Sequence, residues 1–294
     1  MTSPSDAPPK VNSVPASPLN RFLESVLPVR DAEALRLYYR LDAPLTPSQK
    51  CPALQREVAK PMRISRERAR QLIDRARSQL AAAFQAPSPL LRALIGAALA
   101  YLSAIGGTLR RDDASSLPPP PEFGPSAPYA VLRMFSEFLP AITEYRGFLT
   151  LAPPSAAETA ELFLLARLRA ATSLQPIDEL ADSAPADLAS ALPPGHLAVL
   201  LKALALALPD ITLTLDARVA LTSVAGPELL AELLSARPDA TLPVLRTAYN
   251  LLVPPEAQVG QGHLLAFIHA SDVFEKTTPG HYRLRRPHQP PLPR

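Results

Sequence analysis

The chain has 294 residues, 47% of them apolar and 19% charged, a globular composition long enough for two or more small domains with their own cores. Aromatic residues make up 5% and tryptophan is absent, while leucine and alanine dominate, which favours packed helices over a large sheet. The single cysteine, Cys51, excludes an internal disulfide, five scattered histidines give no zinc spacing, and the net charge of +3 hides an uneven distribution.

Residues 1–18 are polar, contain five prolines and read as a disordered leader, neither a signal peptide nor a membrane span. A first domain is expected over 19–86. After Pro28, Asp31 is a good N-cap, and Ala34, Leu35, Tyr38 and Leu41 then recur at helical spacing. Pro44, Pro47 and Pro52 end that helix in a loop. A short helix over 54–60 precedes Pro61, where the chain is expected to turn through Met62, Arg63 and Ile64. Ser65 then caps a long helix reaching about residue 83, with Ala69, Leu72, Ala76 and Leu80 as its buried stripe. The pattern is helix, turn, helix.

The rest of the chain reads as one unit used three times, over 88–152, 155–222 and 226–286, followed by a proline-rich tail at 287–294. The apolar run over 90–109 approaches spanning length but contains Arg92, Ser103, Gly106 and Gly107, so a buried helix is expected over 90–104. Further upstream helices are expected over 157–171 and 177–181, then 228–235 and 242–252. Apolar helices at 129–139 and 196–208 end on the same pattern, Pro140-Ala141-Ile142-Thr143 and Pro209-Asp210-Ile211-Thr212. Alternating strands at 142–151 and 211–221 bend at Gly147 and Asp216. The third copy keeps the outline, with a helix at 262–270, strands at 273–276 and 281–285, and Pro279-Gly280 as the turn. Prolines 118–121 interrupt the first copy as a stiff loop. The expected fold class is mainly α: an N-terminal helix-turn-helix domain plus three tandem winged-helix-like modules with short β-hairpin wings. Chance similarity among Leu/Ala helices is the competing account of the repeat.

Two stretches concentrate the basic charge. Residues 55–80 carry eight basic residues against three acids, and residues 276–294 carry five with no acid, so the remainder is net acidic. Such concentrations fit either a footprint for a polyanion or a solvated charged helix face. A helix entering the major groove presents its N-terminal residues to base edges while its free amides face phosphate. Arg66, Glu67, Arg70 and Gln71 occupy that end of the long helix. Arg can bond guanine bidentately, Glu can accept from cytosine, and Gln can pair with adenine. Ser65, Arg68, Arg75 and Arg77 are assigned to phosphates or solvent.

The stretch Val58-Ala59, Met62 and Ile64-Ser65-Arg66-Glu67-Arg68-Ala69-Arg70-Gln71-Leu72 closely resembles region 4 of the sigma-70 family of RNA polymerase specificity factors. Asp31-Ala32-Glu33-Ala34-Leu35-Arg36-Leu37-Tyr38-Tyr39-Arg40-Leu41 matches that family's preceding helix. The resemblance, over residues 28–84, implies that Arg66, Glu67, Arg70 and Gln71 contact a promoter element, and a region 4 can also contact the polymerase. The chain departs from the family at Arg63, where the turn has glycine, at Pro61, and in its long loop over 42–53. It has no aromatic-rich segment like the family's melting region, so a complete sigma factor is not expected.

The third helices of the modules offer few base-reading groups: Tyr129, Arg133 and Glu137; His196 and Lys202; His263 and His269. The modules are therefore expected to pack against protein. The last wing differs. His281, Arg283 and Arg285 would share one face, beside Arg286 and with no nearby acid, while Tyr282 and Leu284 pack inward. That face suits phosphate contact by Arg283 and Arg285, or a solvated edge strand. No catalytic constellation, glycine-rich phosphate loop or paired metal ligands stand out, so no enzyme, no cofactor and no metal are expected. The expected partners are double-stranded DNA and, through the body, RNA polymerase or another protein, with no membrane and a cytoplasmic, nucleoid-associated location. A bacterial transcription regulator is one reading. The other is an adaptor or scaffold protein, because tandem winged helices also resemble adaptor subunits of chromosome-organising complexes.

Overall fold

A computed structural model describes residues 17–42, 45 and 49–285. Residues 1–16 of the expected leader, Pro44 and Pro47 of the expected loop, Arg286 and the tail over 287–294 lie outside the described residues, while Ser17 and Pro18, the end of that leader, begin a helix. The chain divides into two compact units, residues 1–105 with 109–144, and residues 106–108 with 145–294. The first unit thus holds the head together with helices expected of the first module.

The first unit opens with α1 (Pro18–Val26), a helix the sequence reading passed over. Its signals are local. Ser17 accepts the Asn20 N–H at 3.2 Å, Pro18 occupies the first turn, and Leu19, Phe22 and Leu23 are buried. In α2 (Val29–Tyr39) the cap is Pro28, and Asp31 lies inside the first turn rather than capping it. α3 (Gln55–Met62) extends past the expected end, with Pro61 in its last turn. Arg63 then takes the left-handed conformation, φ 53° and ψ 44°, that the turn requires and glycine would adopt without strain. Ser65 caps α4 (Arg66–Gln85) by accepting the Arg68 N–H at 3.1 Å. The expected stripe of Ala69, Leu72, Ala76 and Leu80 is buried, joined by Ile73. Ala34, Val58, Ala59, Ala69, Leu72 and Ile73 form the small core of the helix-turn-helix.

Two further helices complete this unit. α5 (Pro89–Ala104) buries Leu91, Leu94, Ala98 and Leu102, and α6 (Pro128–Ser136) buries seven of its nine residues. Between them run β1 (Thr108–Arg110), 3-10 turns at Asp113–Ser115 and Pro121–Phe123, and the proline loop. Gly124 has φ +62°, and a Cβ there would fall 2.5 Å from Ser17 Cβ, so this loop passes the start of α1 only because it carries glycine. The strands β2 (Thr143–Tyr145) and β3 (Phe148–Thr150) flank Arg146 and Gly147, both at positive φ.

The second unit repeats the plan twice more. α7 (Pro154–Ala170), β4 (Gln175–Pro176), α8 (Ile177–Asp182), α9 (Ala186–Ser190) and α10 (His196–Ala207) precede the hairpin of β5 (Ile211–Leu213) and β6 (Arg218–Leu221). Then come α11 (Thr222–Ala236), β7 (Ala240–Thr241), α12 (Leu242–Asn250), α13 (Gln261–His269) and the hairpin of β8 (Phe274–Thr278) and β9 (His281–Leu284). Among the described residues the strands form three small sheets with one order, β1-β3-β2, β4-β6-β5 and β7-β9-β8. The expected two-stranded wings are therefore parts of three-stranded sheets. β4 and β7 have two residues each, too few for an alternating pattern to register in a sequence. Helix, strand, helices, then a hairpin that accepts the first strand is winged-helix topology, so the chain is mainly helical with three winged-helix-like modules behind a helix-turn-helix.

Within the second unit, successive modules share their cores. Phe148 packs among the residues of α7, α8 and α10, while Leu174 and Ala220 pack among those of α11, α12 and α13. An Arg–Glu pair accompanies each of these packings. Arg146 donates to Glu161 of α7 at 3.0 and 2.6 Å, and Arg218 donates to Glu232 of α11 at 2.7 and 3.1 Å. Each module leans on the next, as in other repeat folds.

Glu161 is 8% exposed and also accepts the Tyr145 hydroxyl at 2.8 Å. The Arg146 guanidinium bonded to it holds its carboxyl below the usual carboxylate range. A depressed folded-state pKa means that the stabilisation is present above the unfolded value of 4.5 and is lost as pH falls through the folded value. Glu161→Gln is expected to lower Tm by a few degrees at pH 7, with the gap to the parent narrowing below about pH 4. Thermal unfolding across a pH series checks this, and a gap that stays constant into acid would rule out the charge as its source.

Candidate nucleic-acid interface

The N-terminal half of α4 presents a polar face made by its periodicity. Ala69, Leu72 and Ile73 turn into the head, so Arg66, Glu67, Arg68, Arg70, Gln71 and Asp74 are exposed. The four expected base readers are thus brought together on one surface. They satisfy one another there. Arg70 donates to Glu67 at 2.9 and 2.6 Å and to Asp74 at 2.9 Å, and Gln71 donates to Glu67 at 3.3 Å. The bond from Arg70 holds the Glu67 carboxyl below its ordinary pKa, so Glu67 is an anionic acceptor near neutral pH. Arg68 donates to Gln71 at 3.2 Å. These are exposed pairs within one helix, weakly held and open to exchange for base-edge partners.

A cleft of about 410 Å³ adjoins the start of α4, lined by Tyr38, Leu54, Gln55, Arg56 and Arg66. Arg66 donates to Gln55 at 3.3 Å, and Arg56 is exposed with no partner among the described residues. Sequence reasoning counted Arg56 in the basic stretch but gave it no role, because only the α3–α4 packing sets it beside Arg66.

The other phosphate candidates are placed differently. Arg75 donates to Asp31 from Nε at 2.6 Å and from Nη2 at 2.5 Å, and Asp31 is fully buried. This bond raises the pKa of the Arg75 guanidinium. Arg77 meets Glu137, just beyond α6, at 2.7 Å, and Glu137 also meets Arg133 at 3.3 Å. Phe84 stacks near Phe135 and Phe138, with ring centroids 5.3 and 5.2 Å away. Arg77 and Phe84 thus tie one side of the back half of α4 to α6, while Arg75 and Ser78 on another side stay exposed. Tyr129, Arg133, Glu137 and His196, expected as exposed groups on the third helices, are buried or nearly so, whereas Lys202, His263 and His269 are exposed.

In the last wing, Tyr282 is buried, Leu284 is half-buried, and Arg283 and Arg285 are exposed, the alternation read from the sequence. The expectation of no nearby acid fails. Glu275 stands opposite Arg283 in the register and accepts its Nε, and Asp239 lies 3.7 Å from His281. At the matching register of the second module, buried Thr212 and Ala220 lie opposite one another. The third sheet thus carries an ion pair where the second carries small buried residues.

Residues 25–82 match the family model described as Sigma-70, region 4. No curated protein and no solved structure matches the chain. The segment over 25–82, about a fifth of the chain, is a DNA-binding helix-turn-helix of the sigma-70 region 4 kind. Among the described residues no helix is long and apolar enough to cross a membrane.

Removing Arg75 leaves the buried Asp31 carboxylate without its ion partner, whereas replacing Arg68, an exposed arginine bonded only within its own helix, strands no buried charge. Arg75→Ala is expected to lower Tm by several degrees, and Arg68→Ala to leave it within about a degree. Calorimetry of the two variants decides it, and equal Tm values would show that the Asp31 pair contributes nothing measurable.

Proposed function

We propose that this protein is a bacterial transcription regulator or RNA polymerase-associated factor that reads double-stranded DNA through α4. The observation that carries the reading is the joint exposure of Arg66, Glu67, Arg70 and Gln71 at the start of a helix within the matched segment. In this reading those four meet base edges. Arg68 and Arg56 meet phosphates, with Ser65 at the helix start beside them. Arg75 and Arg77, engaged by Asp31 and Glu137, are braces that set the angle of α4 rather than phosphate ligands. A cytoplasmic, nucleoid-associated location follows from the same reading.

The body serves as a scaffold for protein contacts. The observation favouring this second role is the burial of most of α6 and over half of α10, seven of nine and seven of twelve residues. Only the third module keeps an exposed third helix and charged wing residues, and Arg283 and Arg285 are its phosphate candidates.

Selection of bound sequences from random DNA at two salt concentrations tests the whole reading. A defined motif supports a regulator, uniform salt-labile binding supports an architectural role, and no binding leaves the adaptor. Glu67→Ala is expected to relax preference at one base pair by about tenfold while affinity for other sequences holds. An unchanged motif would mean that α4 does not read bases through this residue. Replacing Arg283 and Arg285 together with Ala is expected to reduce the slope of log affinity against log salt by about two, near 0.9 per lost phosphate contact. An unchanged slope with increased self-association would assign the pair to protection of a sheet edge instead.

A further inference from the structure

Among the described residues three arginines stand at left-handed backbone, Arg40 at φ 58°, Arg63 at φ 53° and Arg146 at φ 48°. A residue with a Cβ is strained there, and glycine or asparagine sits more easily. Two of the three have side chains engaged within the fold. Arg40 meets Glu57 at 2.8 Å, and Arg146 meets Glu161 at 2.6 Å. Arg63 is exposed, and its guanidinium has no hydrogen bond or ion pair among the described residues. A strained residue whose side chain does nothing for the fold points to a partner outside it.

For a guanidinium that partner is an anion, and the neighbours of Arg63 narrow its kind. Arg56 and Lys60 lie one turn apart on the outer face of α3, and Arg63 follows at its C-cap. All three are exposed, and none has a side-chain partner among the described residues. The acid of α3, Glu57, is engaged by Arg40 and by the Leu54 N–H, so it neutralises none of them. The row also adjoins the start of α4, because Arg56 and Arg66 line the same cleft. A row of unneutralised cations beside exposed base-reading groups suits the evenly charged sugar-phosphate backbone. We infer that Arg63 and Lys60 extend the phosphate contact of Arg56 along α3, and that the strained residue of the turn is kept for this contact. The inference rests on the reading of α4 as the helix that meets the bases.

Binding of the full chain to duplex DNA carrying its selected motif, and to random-sequence duplex, is measured across a salt series. Arg63→Gly and Arg63→Asn both suit left-handed backbone and remove the charge, so Tm is expected to hold or rise. Each is expected to weaken binding to both duplexes about fivefold and to reduce the slope of log affinity against log salt by about 0.9, with the motif unchanged. Adding Lys60→Ala is expected to double the loss of slope. Arg63→Lys keeps the charge and is expected to bind like the parent. Parent-like affinity and slope in Arg63→Gly and Arg63→Asn would overturn the inference, leave the reading of α4 standing and turn the row toward an acidic protein instead. An equal loss in Arg63→Lys would overturn it as well, since charge would not be the source. So would a Tm several degrees below the parent's in Arg63→Gly, because the side chain would then serve the fold. A parent that binds neither duplex overturns the inference and the reading of α4 together.

Discussion

The twenty residues of α4 answer to two different surroundings, and the arrangement of the first unit depends on that division. Toward its start, an apolar stripe seats the helix on α2 and α3 and leaves a polar face outside. Toward its end, Leu80 is buried, Phe84 meets the rings of Phe135 and Phe138, and Arg77 meets Glu137. One rigid helix therefore carries the exposed polar face at one end and its attachment at the other. The buried Asp31 carboxylate fixes the rotation of α4 about its own axis, because the planar Arg75 fork accepts only a narrow range of approach.

This attachment changes what the first winged-helix-like module can do. A winged helix that reads DNA offers its third helix to the groove. Here α6 is buried on nearly every side, with Arg133 and Glu137 drawn into ion pairs. In the second unit α10 buries seven of its twelve residues and keeps Lys202 exposed. Two of the three modules thus bury most of the residues of their third helices, α6 more completely than α10. Fold and function are separable in this way because a function needs a site, and a packed core does not supply one.

The modules of the second unit are held by a recurring device in which a wing arginine reaches a glutamate on the first helix of the following module. Arg146 and Arg218 occupy different places in their hairpins, one in the turn and one on the strand, yet each finds its glutamate on α7 or α11. The third sheet breaks the pattern. Its outer positions carry Glu275 and Arg283, which neutralise one another and need no helix over them. Small buried residues in one sheet and a solvated ion pair in the next are the two ways of finishing a sheet face.

The sequence by itself determined whatever is settled within a few residues along the chain. Ser65 as a cap, the buried stripe of α4, the cluster of Arg66, Glu67, Arg70 and Gln71, and the inward Tyr282 all follow from periods of 3.6 and 2. Caps and turns are equally local, which is why α1 was legible in Ser17, Pro18 and its apolar spacing although it was passed over. Tertiary structure alone decided the roles of the charges. Asp31 reads as a cap until Arg75, 44 positions away, claims it, and Arg77 reads as a phosphate ligand until Glu137 does. The left-handed turn at Arg63 was legible from the glycine that the related turn carries there, and the packing of α3 on α4 offsets its strain. The short strands β1, β4 and β7 exist because a hairpin edge was there to receive them. A charged side chain is long and its partner can come from any part of the fold, so local pattern names the helix that carries it, and only the packing names what it binds.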